Sequence, residues 1–291
     1  MDTLSIVLPA KDEEQGLSLL LPVLVERFPQ AEIIVVDDGS SDGTAKVCEA
    51  NRVRRIHHPY AMGNGAAVKA GARAASGDIL VFMDADGQHD PADIPRLLER
   101  LDQGYDMAVG ARDYQGQASL GRFLANRLYN RMASLMTGHV IADLTSGFRA
   151  VRRRHFRRFL YLLPNGFSYP TTSTMAFFRS GLAVAYVPIS TRERSGNSHI
   201  RLFRDGIRFL VIVLKIGALF SPMRLFLPIS LLLFIVGLGY YAYTFVTMHR
   251  FTNMSSVLLM SSLLTFLIGI LSEQVSALHY RNTEEDTPRE P

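Results

Sequence analysis

The first half of the chain alternates short apolar runs with stretches in which apolar residues recur every three or four positions. The short runs predict strands and the periodic stretches predict amphipathic helices, because side chains repeat every two residues in a strand and every 3.6 in a helix. The predicted strands are residues 4–8, 32–36, 53–56, 79–83 and 107–109. The predicted helices include residues 16–28, 44–50, 66–75 and 94–101. This order predicts an α/β fold, with a mainly parallel sheet covered by helices on both faces.

The last third of the chain has a different pattern, with two long apolar runs. Residues 225–248 and 251–272 contain no Asp, Glu, Lys or Arg. Each run exceeds the roughly 20 residues that a helix needs to cross a bilayer. We therefore expect a hairpin of two transmembrane helices at 225–248 and 253–276, whose outer ends face the same side of the membrane.

The distribution of basic residues predicts the orientation of that hairpin. The loop between the two runs has only Arg250, whereas several cations precede the first run: Arg201, Arg204, Arg208, Lys215 and Arg224. Positive charge is retained on the cytoplasmic side of membrane proteins. We expect a multi-pass inner-membrane protein with its N-terminal part in the cytoplasm. The single cysteine, Cys48, excludes an internal disulfide.

The composition divides the chain into four predicted segments. Residues 1–200 form the α/β domain, 201–224 an amphipathic interfacial helix, 225–280 the hairpin, and 281–291 a polar disordered tail. A second amphipathic stretch, 119–137, also has basic and apolar sides. Both amphipathic stretches suit the membrane interface, and the alternative is that they pack on the sheet as ordinary surface helices.

A cluster of arginines lies between positions 149 and 158, in a chain whose net charge is +4. No nucleic-acid-binding motif accompanies the cluster, so we expect no nucleic-acid partner. Two membrane spans in the same chain favour anionic headgroups or a phosphorylated substrate as the partners of these arginines.

Carboxylates follow two of the predicted strands. Asp37 and Asp38 end the second strand, and Asp84, Asp86 and Gln88 follow the fourth. Ligands of open α/β sheets bind outside the carboxyl ends of the strands, and oxygen ligands there suit a hard divalent cation. The alternatives are a solvated turn at 84–88, and a turn at 38–40 that caps the helix beginning near residue 44.

Other residues exclude some functions. The glycine-rich stretch 63–71 has Val68 where a dinucleotide-binding loop needs its third glycine, and no Gly-Lys-Ser/Thr motif occurs. These absences exclude a nicotinamide dehydrogenase and a P-loop ATPase. We expect His57, His58 and His89 to be partly exposed loop residues rather than metal ligands.

Five segments together resemble a known family: residues 6–14, 37–40, 63–71, 84–88 and 143–149. They occur in the order seen in GT-A-fold family 2 glycosyltransferases. Over about residues 4–200 the chain resembles the polyprenyl-phosphate glycosyltransferases, which include dolichyl-phosphate mannose synthase, and the hairpin is typical of bacterial members. The resemblance implies a metal-dependent enzyme that uses Mg²⁺ or Mn²⁺. It would transfer one sugar from a UDP- or GDP-linked donor to undecaprenyl or dolichyl phosphate at the cytoplasmic face, with inversion.

The resemblance also implies roles for individual residues. The metal ligands would be Asp84, Asp86 and Gln88, and the catalytic residues Asp86, Arg112 and Arg122. The two arginines would hold the acceptor phosphate, and the alternative for both is contact with headgroups or solvent. The donor-binding residues would be Pro9, Ala10, Glu13, Asp38, Asp84, Arg192, Arg194 and Ser198. Among them, Asp38 would bind the nucleotide base and Glu13 would lie near the ribose. His199 stands where the family has lysine, which leaves the role of that position open.

Two other functions are weighed against this one. Processive polysaccharide synthases share the fold, but they carry a Gln-x-x-Arg-Trp motif, and this chain has no tryptophan. A non-catalytic membrane scaffold would have no need of the intact acidic and arginine set. The sequence does not distinguish the sugar, the nucleotide or the lipid, although a bacterial hairpin favours uridine. Family members with two membrane spans suggest that this chain forms a homo-oligomer.

Overall fold

The computed structural model describes residues 2–112, 120–166, 168–190 and 217–285, without the side chains of 120–126, 128 and 279–285. It divides into two units. The first comprises Met1–Ala133 with His139–Ser198, and the second comprises Ser134–Gly138 with His199–Pro291.

Seven strands of the first unit form one sheet. They are β1 (Leu4–Ala10), β2 (Glu32–Asp37), β3 (Arg54–His57), β4 (Ile79–Phe82), β5 (Met107–Arg112), β6 (Arg149–Arg152) and β7 (Val184–Ile189). The strand order is β3-β2-β1-β4-β6-β5-β7. Only β6 runs antiparallel to its neighbours β4 and β5 among these strands, so the prediction of a mainly parallel sheet is confirmed.

Helices connect the strands. They are α1 (Glu14–Arg27), α2 (Thr44–Ala50), α3 (Asn64–Ala74), α4 (Ile94–Asp102), α5 (Leu120–Thr137), α6 (Arg153–Arg158) and α7 (Tyr169–Arg179). In α1, Leu17, Leu21 and Leu24 lie on one face and have no exposed surface. They join Ile6 and Leu8 of β1 in the main core cluster, which fixes the helix on the sheet.

Strands β6 and β7 were not predicted from the sequence. The prediction that the arginines at 149–158 meet headgroups or a phosphorylated substrate is wrong for Arg149. Arg149 belongs to β6 and has no exposed surface, so it meets neither headgroups nor substrate from solvent. Two others bond to carbonyls, Arg152 to Leu101 and Arg153 to Ala75. The arginines are therefore divided among different structural tasks.

Helix α5 occupies the predicted amphipathic stretch 119–137, apart from residue 119, which lies outside the described residues. In its second half Tyr129 and Ala133 are buried, and the Tyr129 hydroxyl donates to Thr171 in α7 at 2.9 Å. This part of α5 therefore packs on the protein. The predicted interfacial helix 201–224 lies outside the described residues as far as position 216.

The second unit contains a helical hairpin, α8 (Pro222–Met248) and α9 (Asn253–Glu285). Both helices are long and apolar enough to cross a membrane. The Ser262 hydroxyl donates to the Ser230 carbonyl at 2.8 Å, which joins the two helices by a buried hydrogen bond. Helix α9 extends to Glu285 and so includes the first five residues of the predicted tail 281–291, whose disorder stays a prediction. Once a long apolar helix has formed, adding a further residue needs no new nucleus.

Polar groups fix the outer end of the hairpin. Glu273 accepts a bond from the backbone N–H of Met223 at 3.3 Å, so it binds the first turn of α8. Arg224 donates to the carbonyls of Leu135 and Met136, and thereby caps the last turn of α5. Arg224, counted above as a cytoplasmic charge, thus has a structural role.

Candidate active site

The carboxyl ends of the central strands meet at one edge of the sheet. Ala10 of β1 is in register with Asp37 of β2, and Asp37 is in register with His57 of β3. Beside them, the chain leaves β4 through Met83, whose N–H donates to the carbonyl of Val7. The Asp84–Gln88 segment therefore begins at this edge, as the sequence predicted.

A tight turn shapes the acidic segment. Gly87 has φ of 72°, which favours glycine, and the N–H of Gln88 donates to Asp86 Oδ1 at 3.1 Å. Within the part of the chain that the structure describes, no hydrogen bond reaches the Asp84 carboxylate. Burial raises the pKa of Asp84, and the nearby charge of Asp86 adds to the rise.

The donor set at this turn fits a divalent cation. Within the described ranges, no three His, Cys, Asp or Glu side chains form a ready-made metal cage. The carboxylates of Asp84 and Asp86 and the amide of Gln88 nevertheless supply hard oxygen atoms at one strand end. Mg²⁺ binds in this way, through one or two carboxylates together with water and substrate phosphates.

His89 is not the partly exposed loop residue that the sequence predicted. Its exposed fraction is 5%, and its ring stacks on Phe148 with the centroids 5.0 Å apart. Its Nδ1 lies 3.9 Å from Asp84 Oδ2. Burial lowers the pKa of His89, so the ring is neutral near pH 7. The prediction failed because Phe148 comes from a segment that is distant in sequence.

Arg112 ends β5 and forms a two-pronged ion pair with Asp143. Its Nε donates to Asp143 Oδ2 at 2.7 Å and its Nη2 to Oδ1 at 3.1 Å, and Nη2 also donates to Thr145. Asp143 is fully buried, whereas the Arg112 side chain is 31% exposed. Neither predicted environment of Arg112, acceptor phosphate or headgroups and solvent, included this carboxylate.

The segment after Asp143 is fixed on two sides. Asp143 accepts bonds from the N–H groups of Thr145 and Ser146, and Arg149 donates to the carbonyl of Ser146. Burial works to raise the pKa of Asp143, but the hydrogen bonds and charge of Arg112 outweigh it and lower the pKa. Sequence reasoning gave Asp143 no role, although Asp followed by Thr and Ser is typical of a side-chain-bonded turn.

Asp38, the predicted base-binding residue, is bonded within the protein. Its carboxylate accepts from the N–H groups of Met62 and Gly63 and contacts His58 Nδ1, each at 2.8 Å. Burial opposes these partners, which together lower the pKa of Asp38. The prediction of a partly exposed His58 is wrong, because its ring is buried against Asp38. His57 is exposed as predicted, but it is the last residue of β3 rather than a loop residue. A nucleotide-base contact by Asp38 stays a prediction.

The alternative prediction for residues 38–40 was a turn that caps α2. The turn is present, but the cap is not. Helix α2 has no side-chain cap, and Asp37 accepts from the N–H of Ser40 to form the turn. Pro9 and Ala10 end β1, and the Ala10 carbonyl accepts from the N–H of Asp38. These contacts place Pro9, Ala10 and Asp38, which are predicted to bind the sugar donor, at the ends of adjacent strands.

Glu13 reaches the same edge of the sheet. Its N–H donates to the Thr44 hydroxyl at 3.2 Å, which ties the loop after β1 to the start of α2. A cleft of about 870 Å³ lies beside this loop, and Glu13, Asp86 and His89 are among the residues that line it. The predicted ribose residue and one predicted metal ligand therefore share a cleft.

The glycine-rich stretch serves backbone packing. The N–H groups of Gly65 and Ala66 donate to the carbonyls of Gly166 and Asn165, and a Cβ on Gly65 would lie 2.0 Å from the Pro164 carbonyl oxygen. These N–H groups, at the start of α3, are occupied by protein carbonyls rather than open to phosphate. This agrees with the rejection of a phosphate-binding loop.

Several predicted site residues lie outside the described part of the chain. They are Arg192, Arg194, Ser198 and His199. Arg122 lies in α5, but its side chain is not described. Their roles stay predictions.

Comparison with known proteins agrees with this geometry. The family described as "Glycosyl transferase family 2" matches residues 5–160, and "GtrB C-terminal hairpin" matches residues 221–278. The polyprenol monophosphomannose synthase of Mycolicibacterium smegmatis is 31% identical over 204 residues, which are 65% of this chain and 77% of that enzyme. The undecaprenyl-phosphate 4-deoxy-4-formamido-L-arabinose transferase of Proteus mirabilis is 36% identical over 163 residues, 53% of this chain. The chain spans about half the length of the latter enzyme, 50% of it.

Solved structures share the fold. The glucosyl-3-phosphoglycerate synthase of Mycobacterium tuberculosis, crystallised with Mn²⁺, UDP and glucosyl-3-phosphoglycerate, superposes with a TM-score of 0.60 at 22% identity, covering 75% of this chain and 79% of that one. The family match covers more than half of the 291 residues. The chain therefore belongs to glycosyl transferase family 2, with a GT-A fold and a membrane-associated C-terminal hairpin.

Proposed function

We propose that this enzyme transfers one sugar from a nucleoside diphosphate to a polyprenyl phosphate, with inversion at the anomeric carbon. The observation that carries the proposal is the 31% identity to a polyprenol monophosphomannose synthase over 77% of that enzyme's length. Such a reaction needs groups that hold a divalent cation and a cation that binds the acceptor phosphate. The acidic turn after β4 supplies the first, and Arg112 at the end of β5 supplies the second.

Asp84, Asp86 and Gln88 hold the divalent cation in this proposal. Mg²⁺ or Mn²⁺, when bound, neutralises charge on the departing nucleoside diphosphate. Pro9, Ala10, Glu13 and Asp38 lie at the ends of β1 and β2, where they receive the nucleoside. A carboxylate can accept the imide proton of uracil or the amide proton of guanine. Since three protein donors already occupy Asp38, base binding there requires that they share or release it.

Arg112 binds the acceptor phosphate in this proposal. Asp143 holds its guanidinium in one orientation before the lipid arrives, which lowers the entropic cost of binding. The second pKa of a phosphate monoester is about 6, so the attacking oxygen is already ionised at neutral pH and needs no strong base. Positioning and charge neutralisation then supply most of the rate.

The reaction takes place at the cytoplasmic face of the inner membrane in this proposal. The support is the distribution of basic residues, which cluster before and at the start of α8. The loop between α8 and α9 has a single basic residue, Arg250, and positive charge is retained on the cytoplasmic side. The polyprenyl chain lies in the bilayer beside the hairpin. Self-association stays a prediction.

A product assay tests the proposal. The purified full chain in detergent is incubated with undecaprenyl phosphate, Mn²⁺ and a panel of UDP- and GDP-linked sugars, and lipids are analysed by mass spectrometry. We expect a glycolipid from at least one donor, and its loss in Asp86→Asn. The matched control is Asp93→Ala, which removes an ion pair with Arg96, whose side chain is 49% exposed.

Three results would contradict the proposal. Failure of every donor to yield a glycolipid would refute the transfer reaction. Products with several sugars would favour a processive synthase. Full activity in Asp86→Asn would refute the assignment of Asp86 to the metal site.

A further inference from the structure

The Nδ1 atom of His89 is buried and has no hydrogen-bond partner within the described part of the chain. The side chain as a whole is 95% enclosed, since its exposed fraction is 5%. Buried polar atoms nearly always have a partner, so one without a partner calls for an explanation. The surroundings of the ring provide one.

Nδ1 faces the Asp84 carboxylate. The gap to Asp84 Oδ2 is 3.9 Å, about 1 Å longer than a hydrogen bond. The Asp84 carboxylate also makes no hydrogen bond within the described residues. A ring nitrogen and a carboxylate that each make no hydrogen bond within the described residues thus face each other, at the strand end where the cation is proposed to bind.

Two consecutive residues from another part of the chain hold this pair in place. Phe148 is fully buried, and its ring lies 20° from parallel to the His89 ring. Gly147 packs against Asp84, where a Cβ would lie 2.9 Å from Oδ2 and 3.0 Å from Oδ1. Phe148 therefore fixes the plane of the His89 imidazole, and Gly147 leaves room for the Asp84 carboxylate.

We propose that His89 is a positioning residue for Asp84: its Nδ1–H donates to one carboxylate oxygen when the site is loaded, and the other oxygen then faces the divalent cation. The inference rests on the proposed function and deepens it. An imidazole N–H that donates to a metal-binding carboxylate fixes the orientation of that carboxylate. Outer partners of this kind typically change metal affinity by about 10–100-fold.

Mn²⁺ affinity, read from the EPR signal of free Mn²⁺, tests the inference without turnover. The full chain is titrated with Mn²⁺ in the presence of UDP, and in a parallel series with GDP. We expect His89→Leu to weaken Mn²⁺ binding about 10–100-fold. His139→Asn is the matched control, because His139 also stacks on a phenylalanine, Phe178, at 4.8 Å. It should bind Mn²⁺ as the wild type does.

A pair of polar variants separates positioning from packing. In His89→Asn the amide nitrogen occupies the place of Nδ1 and can still donate to Asp84, whereas in His89→Gln it lies farther out. We expect Asn to retain most of the wild-type affinity and Gln to lose it. This pair decides the question even if His89→Leu does not fold.

Equal Mn²⁺ affinity in wild type and His89→Leu would overturn the inference, as would equal affinity in the Asn and Gln variants. Absence of Mn²⁺ binding by the wild type with both nucleotides would also overturn it. The proposed function fails separately, if the wild type forms no glycolipid in the product assay. A wild type that forms glycolipid while its histidine variants bind Mn²⁺ equally well would refute the inference alone.

Discussion

Replacing Asp143 with alanine removes the centre of the hydrogen-bond network that holds Arg112. The carboxylate accepts from Arg112 at 2.7 and 3.1 Å, and from the N–H groups of Thr145 and Ser146 at 3.0 and 3.1 Å. The Asp143 carboxylate is fully buried. The change therefore leaves the guanidinium, the backbone N–H groups of Arg112, Thr145 and Ser146, and the Thr145 hydroxyl without this acceptor.

The expected cost follows from the burial of the two partners. Removing one member of a buried ion pair costs about 3–5 kcal/mol. Because the Arg112 side chain is 31% exposed, water recovers part of this loss, and we expect about 3 kcal/mol for Asp143→Ala. In a unit of this size each kcal/mol lowers Tm by about 2–4 °C, which gives a fall of about 6–12 °C.

The measurement uses a thiol-reactive fluorophore, because the chain has no tryptophan and Cys48 is its single cysteine. Cys48 is fully buried, so its labelling on heating reports unfolding. Asp93→Ala is the control, since Arg96 is 49% exposed and such pairs contribute less than about 1 kcal/mol. A Tm of Asp143→Ala equal to that of the control would refute the reasoning.

Two further predictions concern ionisable groups away from the site. Burial of Glu32 favours a higher pKa, but hydrogen bonds from Ser76, Ser5 and Arg54 outweigh it and lower the pKa from 4.5 to about 2. The ionised Glu32 therefore stabilises the fold fully above pH 4.5, and this stabilisation is lost as the pH falls toward 2. The Tm difference between wild type and Glu32→Gln should shrink between pH 7 and pH 3. An unchanged difference would contradict this. Burial raises the pKa of Cys48 to about 11, so maleimide should not label the folded protein at pH 7, and rapid labelling of folded protein would show that the thiol is accessible.

The sequence predicts the strands that its apolar runs mark. Residues 4–8, 32–36 and 79–83 all lie in or directly beside observed strands, because fully buried strands read as continuous apolar segments. β6 was missed because its sequence is Arg-Ala-Val-Arg, whose first arginine is buried. Only the tertiary fold brings Pro170 and Ser173 to that guanidinium, so no local pattern shows it.

The candidate site was predicted in part, for a related reason. The acidic turn after β4 is local, so its position follows from the chain order. The partners of Arg112, Asp38 and His89 are not local: Asp143, His58 and Phe148 reach them from segments 20 or more residues away. Burial and pairing of polar residues depend on such contacts, which periodicity does not report.

The mass of the lipid product formed from undecaprenyl phosphate measures the proposed sugar transfer most directly. We expect the wild type with a divalent cation to form a product heavier than the acceptor by one sugar residue, and Asp86→Asn to form none. An unchanged lipid with every nucleotide sugar, or a product formed equally well by Asp86→Asn, would contradict this expectation.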